Sequence, residues 1–192
     1  FGTHLLAIIR EAVQHPNEQI GLFNLLDQHE QMERLEKRDG EQTGQHEPYH
    51  VQFSRQAMET PDAIAVMDGE RKLTYRELDH MSNALCSELK MQGVEKESTV
   101  ALILDRSVYV IVSMLGVMKA GGAFVPIDPA FPAERIRYTL KDSGAKVIVA
   151  NESLGDSYQH LKSIQVVHVE KAVQRNDSLD LPDVSVDQLA YV

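Results

Sequence analysis

The sequence predicts an α/β fold built on a doubly wound, mostly parallel sheet, preceded by a helix and a linker. Three observations carry this. First, Val100-Ala101-Leu102-Ile103-Leu104 is apolar without alternation, the pattern of a strand covered on both faces. Second, further apolar runs of strand length, at 123–127, 146–150 and 164–169, are separated by helical patterns. Third, Gly and Pro punctuate the junctions, at Gly93, Gly121-Gly122, Pro132 and Ser143-Gly144. Each fully buried Val, Leu or Ile contributes roughly 1.5–3 kcal/mol, so such a strand is stable only when covered. Crossovers between parallel strands are expected to be right-handed.

The elements follow in order. Phe1, Leu5, Ile8, Ile9 and Ala12 recur at helical spacing, and Pro16-Asn17 ends that helix. Residues 20–26 are mostly apolar and fit a short strand or a turn. Residues 27–47 are rich in Glu, Gln, Asp, Arg and Lys with Gly40 and Gly44, and read as linker with some solvated helix. A second block starts near Pro48, where Val51, Phe53, Ala57 and Met58 suggest a short helix closed by Thr60-Pro61. Ala63 to Met67 reads as a strand and Asp68-Gly69 as a turn. Thr74 with Glu77 three residues on has the spacing of a capping box. Leu78, Met81, Leu85 and Leu89 then give a helix with one buried face, ended by Gly93. Residues 108–118 are apolar nearly all round, as in a helix buried between other elements. Pro132 suits a first helical position, with Ile136 and Leu140 on the inner face. A short helix precedes the last strand.

Composition excludes several classes. There are 19 basic and 29 acidic side chains, a net charge of -10, and the basic residues do not cluster. A phosphate backbone would be repelled, so no nucleic-acid partner is expected. No apolar run approaches the ~20 residues of a membrane span, and the opening segment lacks the basic start and cleavage site of a signal peptide. The single cysteine, Cys86, excludes an internal disulfide, and a reducing cytoplasm is the expected location. The chain starts inside an apolar helical pattern and finishes on apolar Leu189-Ala190-Tyr191-Val192. Both ends read as cuts through a longer polypeptide.

Three stretches resemble the opening of adenylate-forming enzymes, specifically the amino-acid adenylation domains of nonribosomal peptide synthetases. They are Pro61-Asp62-Ala63-Ile64-Ala65-Val66, Leu73-Thr74-Tyr75-Arg76-Glu77-Leu78, and the twelve-residue run from Met118 to Pro129, which is the most specific. Leu189 to Val192 resembles the lead-in to the family's Gly/Ser/Thr-rich phosphate-binding loop. Phe1 to Leu26 is similar to the close of a condensation domain, and Glu30 to Leu35 to the short helix after it. The resemblance implies three parts: 1–26 the end of a condensation domain, 27–47 an interdomain linker, and 48–192 the front of an adenylation domain. It implies that the longer protein joins an amino acid to ATP with Mg²⁺ and loads the acyl group onto phosphopantetheine of a carrier domain. The chain alone is expected to be inactive. Two other readings stay open: an acyl-CoA synthetase or luciferase-like adenylating enzyme, and a non-catalytic interdomain scaffold.

The individual residues point to packing. Lys119 falls in a last helical turn, where a cation favours the helix dipole. Gly121 and Gly122 permit positive φ at the helix exit and close approach of the next strand. Pro126 and Pro129 would end that strand at the rim of the sheet. His46-Glu47-Pro48-Tyr49-His50 matches the zinc-protease pattern formally, but Pro48 belongs at a helix start and not between two ligands. Cys86 reads as a buried, inert thiol and His4 as a structural histidine. No G-x-x-x-x-G-K or G-x-G-x-x-G loop occurs. The reading assigns no catalytic, cofactor-binding or metal-binding residue.

Overall fold

The computed structural model describes residues 2–17, 32, 47–161, 163–174 and 190–191. The chain divides into two compact units, Phe1–His46 and Glu47–Val192. In the first, helix α1 spans Gly2–Gln14 and ends at the expected Pro16-Asn17 turn. The apolar segment at 20–26, the charged run Glu30–Lys37 and the linker up to His46 lie outside the described residues, apart from Met32. So does the side chain of His4.

The second unit opens with α2 (Tyr49–Glu59), whose buried residues His50, Phe53 and Ala57 sit at steps of three and four on one face. Strands β1 (Ile64–Asp68) and β2 (Arg71–Thr74) form an antiparallel hairpin. Gly69, at φ +58, makes the turn. The sequence reading found β1 and the turn but not β2. That strand starts on exposed Arg71 and Lys72 and buries only Leu73, so four residues show no alternation. Thr74 then caps α3 (Tyr75–Met91). Its hydroxyl accepts from the Glu77 N–H at 3.2 Å, and the Glu77 carboxylate accepts from the Thr74 N–H at 2.8 Å. This is the expected capping box.

The remaining elements are β3 (Thr99–Ile103), α4 (Val108–Ala120), β4 (Ala123–Pro126), α5 (Ala133–Asp142) and β5 (Val147–Ala150). Then come the short α6 (Glu152–Gly155) with a 3-10 turn (Asp156–Tyr158), β6 (Gln165–His168) and the short α7 (Val169–Ala172). Pro132 lies one place earlier than expected. It is the N-cap of α5, because its φ of -53 suits a helix but its ψ of 141 is extended.

Strands β3 to β6 form one parallel sheet in the order β4-β3-β5-β6. Its two faces explain the unbroken apolar run of β3. Val100 and Leu102 join Val147, Val149 and Val167 in a core with residues of α3, α4 and α7. Ala101 and Ile103 join Ile148, Ala150 and Val125 in a second core with Ile136 and Leu140 of α5. The α/β, doubly wound parallel architecture is therefore the one expected. On the outer edge of β4, the Phe124 N–H donates to the Ala190 carbonyl at 2.9 Å. Phe124 and Tyr191 form a parallel bridge with stacked rings.

Candidate functional site

From β3 the chain steps to β4 on one side, then crosses back to β5 and β6 on the other. Where the winding reverses, between β3 and β5, the loops at the strands' carboxyl ends part. In open α/β sheets ligands bind in this crevice. At these carboxyl ends a cleft of about 720 Å³ opens between the exits of β3 and β4, walled by Leu104, Val110, Pro126, Ile127 and Phe131, with Leu154 of α6 closing it on the β5 side. Its charged members are Asp105, Arg106 and Asp128.

These loops are braced. Asn151, buried at the end of β5, accepts from the Asp105 N–H at 2.8 Å and donates to Glu170 Oε1 at 2.9 Å. Glu170 Oε2 accepts from the Glu152 N–H at 3.0 Å. One amide thus ties the exits of β3, β5 and β6 together. On the other wall Asp128 Oδ1 accepts from the Ala130 N–H at 2.8 Å and folds the loop that follows β4.

The structure separates the twelve-residue run into two places. Pro126, Asp128 and Pro129 reach the cleft wall. Lys119, Gly121 and Gly122 lie at the far end of α4. Gly121 takes φ +85, and a Cβ on Gly122 would stand 2.9 Å from the Ser98 carbonyl oxygen. Both glycines are required as expected. Lys119 does more than meet a helix dipole. Its side chain is fully buried. Its Nζ donates to Asp79 Oδ1, Ser82 Oγ and Asn83 Oδ1, each at 2.7 Å. Three acceptors for three N–H bonds is the arrangement an ammonium requires. Burial pulls the Lys119 amine below the ordinary lysine range, and Asp79 opposes that pull.

The zinc-protease pattern does not form a helical ligand turn. Glu47 and Pro48 precede α2, Glu47 pairs with Arg55, and His46 lies outside the described residues. Cys86 is buried as expected, and desolvation pushes its thiol up to about 11. Among the described residues no three His, Cys, Asp or Glu side chains come together to hold a metal ion. The cleft wall holds no lysine. The sequence reading missed the cleft, since its walls come from segments up to 52 positions apart and only the strand order joins them.

The AMP-binding enzyme family matches residues 53–190. The chain belongs to the AMP-binding enzymes. This family member is 43% identical over 194 residues to surfactin synthase subunit 2 of Bacillus subtilis (strain 168), covering 100% of this chain and 5% of that protein. It is 35% identical to bacitracin synthase 3 of Bacillus licheniformis, covering 98% of the chain and 3% of the synthase. The chain therefore spans a small fraction of its curated relatives. Among solved structures it resembles the Klebsiella oxytoca NpsA N-terminal subdomain in complex with 3-hydroxyanthranilyl-AMSN. The TM-score is 0.64 at 26% identity, over 74% of this chain and 36% of that one. It also shares its fold with a nonribosomal peptide synthetase, FmoA3 (S1046A), at TM-score 0.77 and 22% identity, over 98% of this chain and 21% of that one. No described helix is long and apolar enough to cross a membrane.

Proposed function

We propose that this chain is part of a nonribosomal peptide synthetase module whose full-length protein activates an amino acid with ATP, forming an aminoacyl-adenylate and pyrophosphate. One observation carries the reading. The similarity to surfactin synthase subunit 2 runs over the whole chain, including residues 1–52 that precede the AMP-binding match. A stand-alone acyl-CoA synthetase or luciferase-like enzyme would have no reason to share that upstream segment.

On this reading residues 1–26 close a condensation domain, 27–47 link, and 48–192 begin the adenylation domain. The start of the family match at residue 53 and the change of compact unit after His46 support that division. The protein would work in the cytoplasm. Its partners would be ATP, an amino acid, and the condensation and carrier domains of the same synthetase, the carrier bearing phosphopantetheine. ATP with Mg²⁺ would supply the adenylyl group that the amino acid's carboxylate takes, with pyrophosphate leaving. Ala190-Tyr191 runs alongside β4 toward the cleft rim. The residues of this chain supply the braced rim.

The test is amino-acid-dependent ATP–pyrophosphate exchange by the full-length synthetase, screened over the common amino acids. One or a few should stimulate exchange, and the 192-residue chain alone should give none. Exchange stimulated by fatty or aryl acids but by no amino acid would refute the reading.

A further inference from the structure

Helix α2 is the first element of the second unit, and through Glu47 it is joined to everything upstream. Phe53 lies over the caged Lys119 ammonium, with Nζ 5.4 Å from the ring centroid, and also meets the Tyr75 ring at 5.8 Å. Ser54 donates to Asp79 Oδ1 at 3.3 Å. One turn before Phe53, on the same buried face, stands His50, 7% exposed. The helix is thus held at its inner face by one ring, one hydroxyl, one small side chain and one imidazole, set against a buried positive charge.

We propose that α2 is an acid-releasable latch: a proton taken up by His50 puts a charge on the buried face of α2, the face whose Phe53 lies over the Lys119 ammonium, and frees α2, while the parallel sheet stays folded. Among the described residues no carboxylate forms an ion pair with His50, and the groups on the helices packed against α2 are engaged or uncharged. On α3, Asp79 is already committed, through Oδ1 to Lys119 and Ser54 and through Oδ2 to Asn83. Cys86, also on α3, is a neutral thiol, and Tyr75 is a neutral phenol in contact with Phe53. On α4 the facing charge is Lys119 itself. On α2's own side Glu47 is taken by Arg55. Burial first, and the charge of Lys119 second, hold the His50 imidazole below the ordinary histidine range. The sign follows. The undocked histidine binds a proton more readily than the docked one, so docking is fully present above the ordinary range and is lost as pH falls below it. The sheet has no such element at its centre. Its two cores are apolar, and β3 and β5 are buried on both faces.

The test is amide hydrogen exchange on the full 192-residue chain, corrected for intrinsic rates, from about pH 7.5 to about pH 5. Amides of residues 49–59 should lose about tenfold or more in protection across that range, while those of 75–91 and 99–103 hold theirs. In His50→Gln the protection of 49–59 should not change with pH. In the wild-type chain the His50 ring-proton resonance should titrate with the same midpoint as the loss of protection, a readout that does not depend on the variant folding. Flat protection of α2 over this range overturns the proposal. So does loss of α3 in step with α2, a His50 midpoint displaced from the release, or an unchanged pH response in His50→Gln.

Discussion

Cutting the Lys119–Asp79 pair from each side should give unequal losses. Asp79→Ala leaves an ammonium that is fully buried, with Ser82 Oγ and Asn83 Oδ1 still around it. Removing one partner of a buried pair costs about 3–5 kcal/mol. Lys119 has an escape, which is to shed its proton. Taking a lysine of ordinary pKa 10.5 to the neutral form at about pH 7 costs about 5 kcal/mol, and that bounds the loss. Lys119→Met keeps the unbranched stem and strands the carboxylate instead. Asp79 is 27% exposed and keeps Asn83 Nδ2 at 2.9 Å and Ser54 Oγ at 3.3 Å, so about 1–3 kcal/mol is expected. The double variant should fall short of the sum by about 1 kcal/mol or more. The chain has no tryptophan, so urea unfolding is best followed by far-UV circular dichroism. Asp79→Ala should also gain stability as pH rises above neutral, because its folded form binds fewer protons than its unfolded form. A Lys119→Met loss equal to or greater than that of Asp79→Ala would refute the assignment of Lys119 as the charge at risk. So would coupling below about 0.5 kcal/mol.

Three further outcomes can be measured in the same way. Gly122→Ala should cost about 1–3 kcal/mol, since its Cβ would press on the Ser98 carbonyl, which already accepts the Ala123 N–H at 2.9 Å. Thr74→Ala should cost about 1 kcal/mol. The Thr74 N–H, which alanine keeps, and then the Thr74 hydroxyl hold the Glu77 carboxyl below its usual range, so the hydroxyl's part of the wild-type advantage over Thr74→Ala should shrink as pH falls through that lowered value. Ser113→Ala should be neutral or stabilising by up to about 1 kcal/mol, because the Ser113 hydroxyl is buried with no hydrogen-bond partner among the described residues.

Most of the sheet was legible because burial on both faces leaves a mark that needs no partner to read. Val100 to Leu104 is apolar at every position, and the structure divides those positions alternately between two cores. Helix ends were equally plain, since Gly93, Gly121 and Gly144 all take positive φ just where helical periodicity stops. Strand β2 was not legible, since a four-residue strand with one buried side chain has no period to detect. The ring of oxygens around Lys119 was hidden for another reason. Asp79, Ser82 and Asn83 are ordinary residues on an amphipathic helix until α4 lies against it, some 40 positions later in the chain.

The same distinction explains why one stretch of the chain is so recognisable. From Lys119 to Pro126 most residues meet a constraint set by a neighbouring element. The lysine must match three acceptors on α3, Gly121 must turn left-handed, Gly122 must clear a carbonyl, and Ala123 to Pro126 must pair with β3. A segment fixed at so many consecutive positions is easy to recognise, whatever else it does. The cleft shares the end of that stretch but also needs distant segments. Asp105, Arg106 and Leu154 meet the 126–131 wall only because β4 lies on one side of β3 and β5 on the other. Strand order is decided by which apolar faces the helices cover once the whole sheet assembles, and no local pattern records it. Exchanging Asn151, which ties these loops across the strand order, should therefore loosen the cleft without altering any stretch by which the family is recognised. In Asn151→Ala, amides of 105–107 should lose protection while those of 119–126 keep it. Equal loss in both would show that the rim and the motif are one cooperative piece, and that their separation here is wrong.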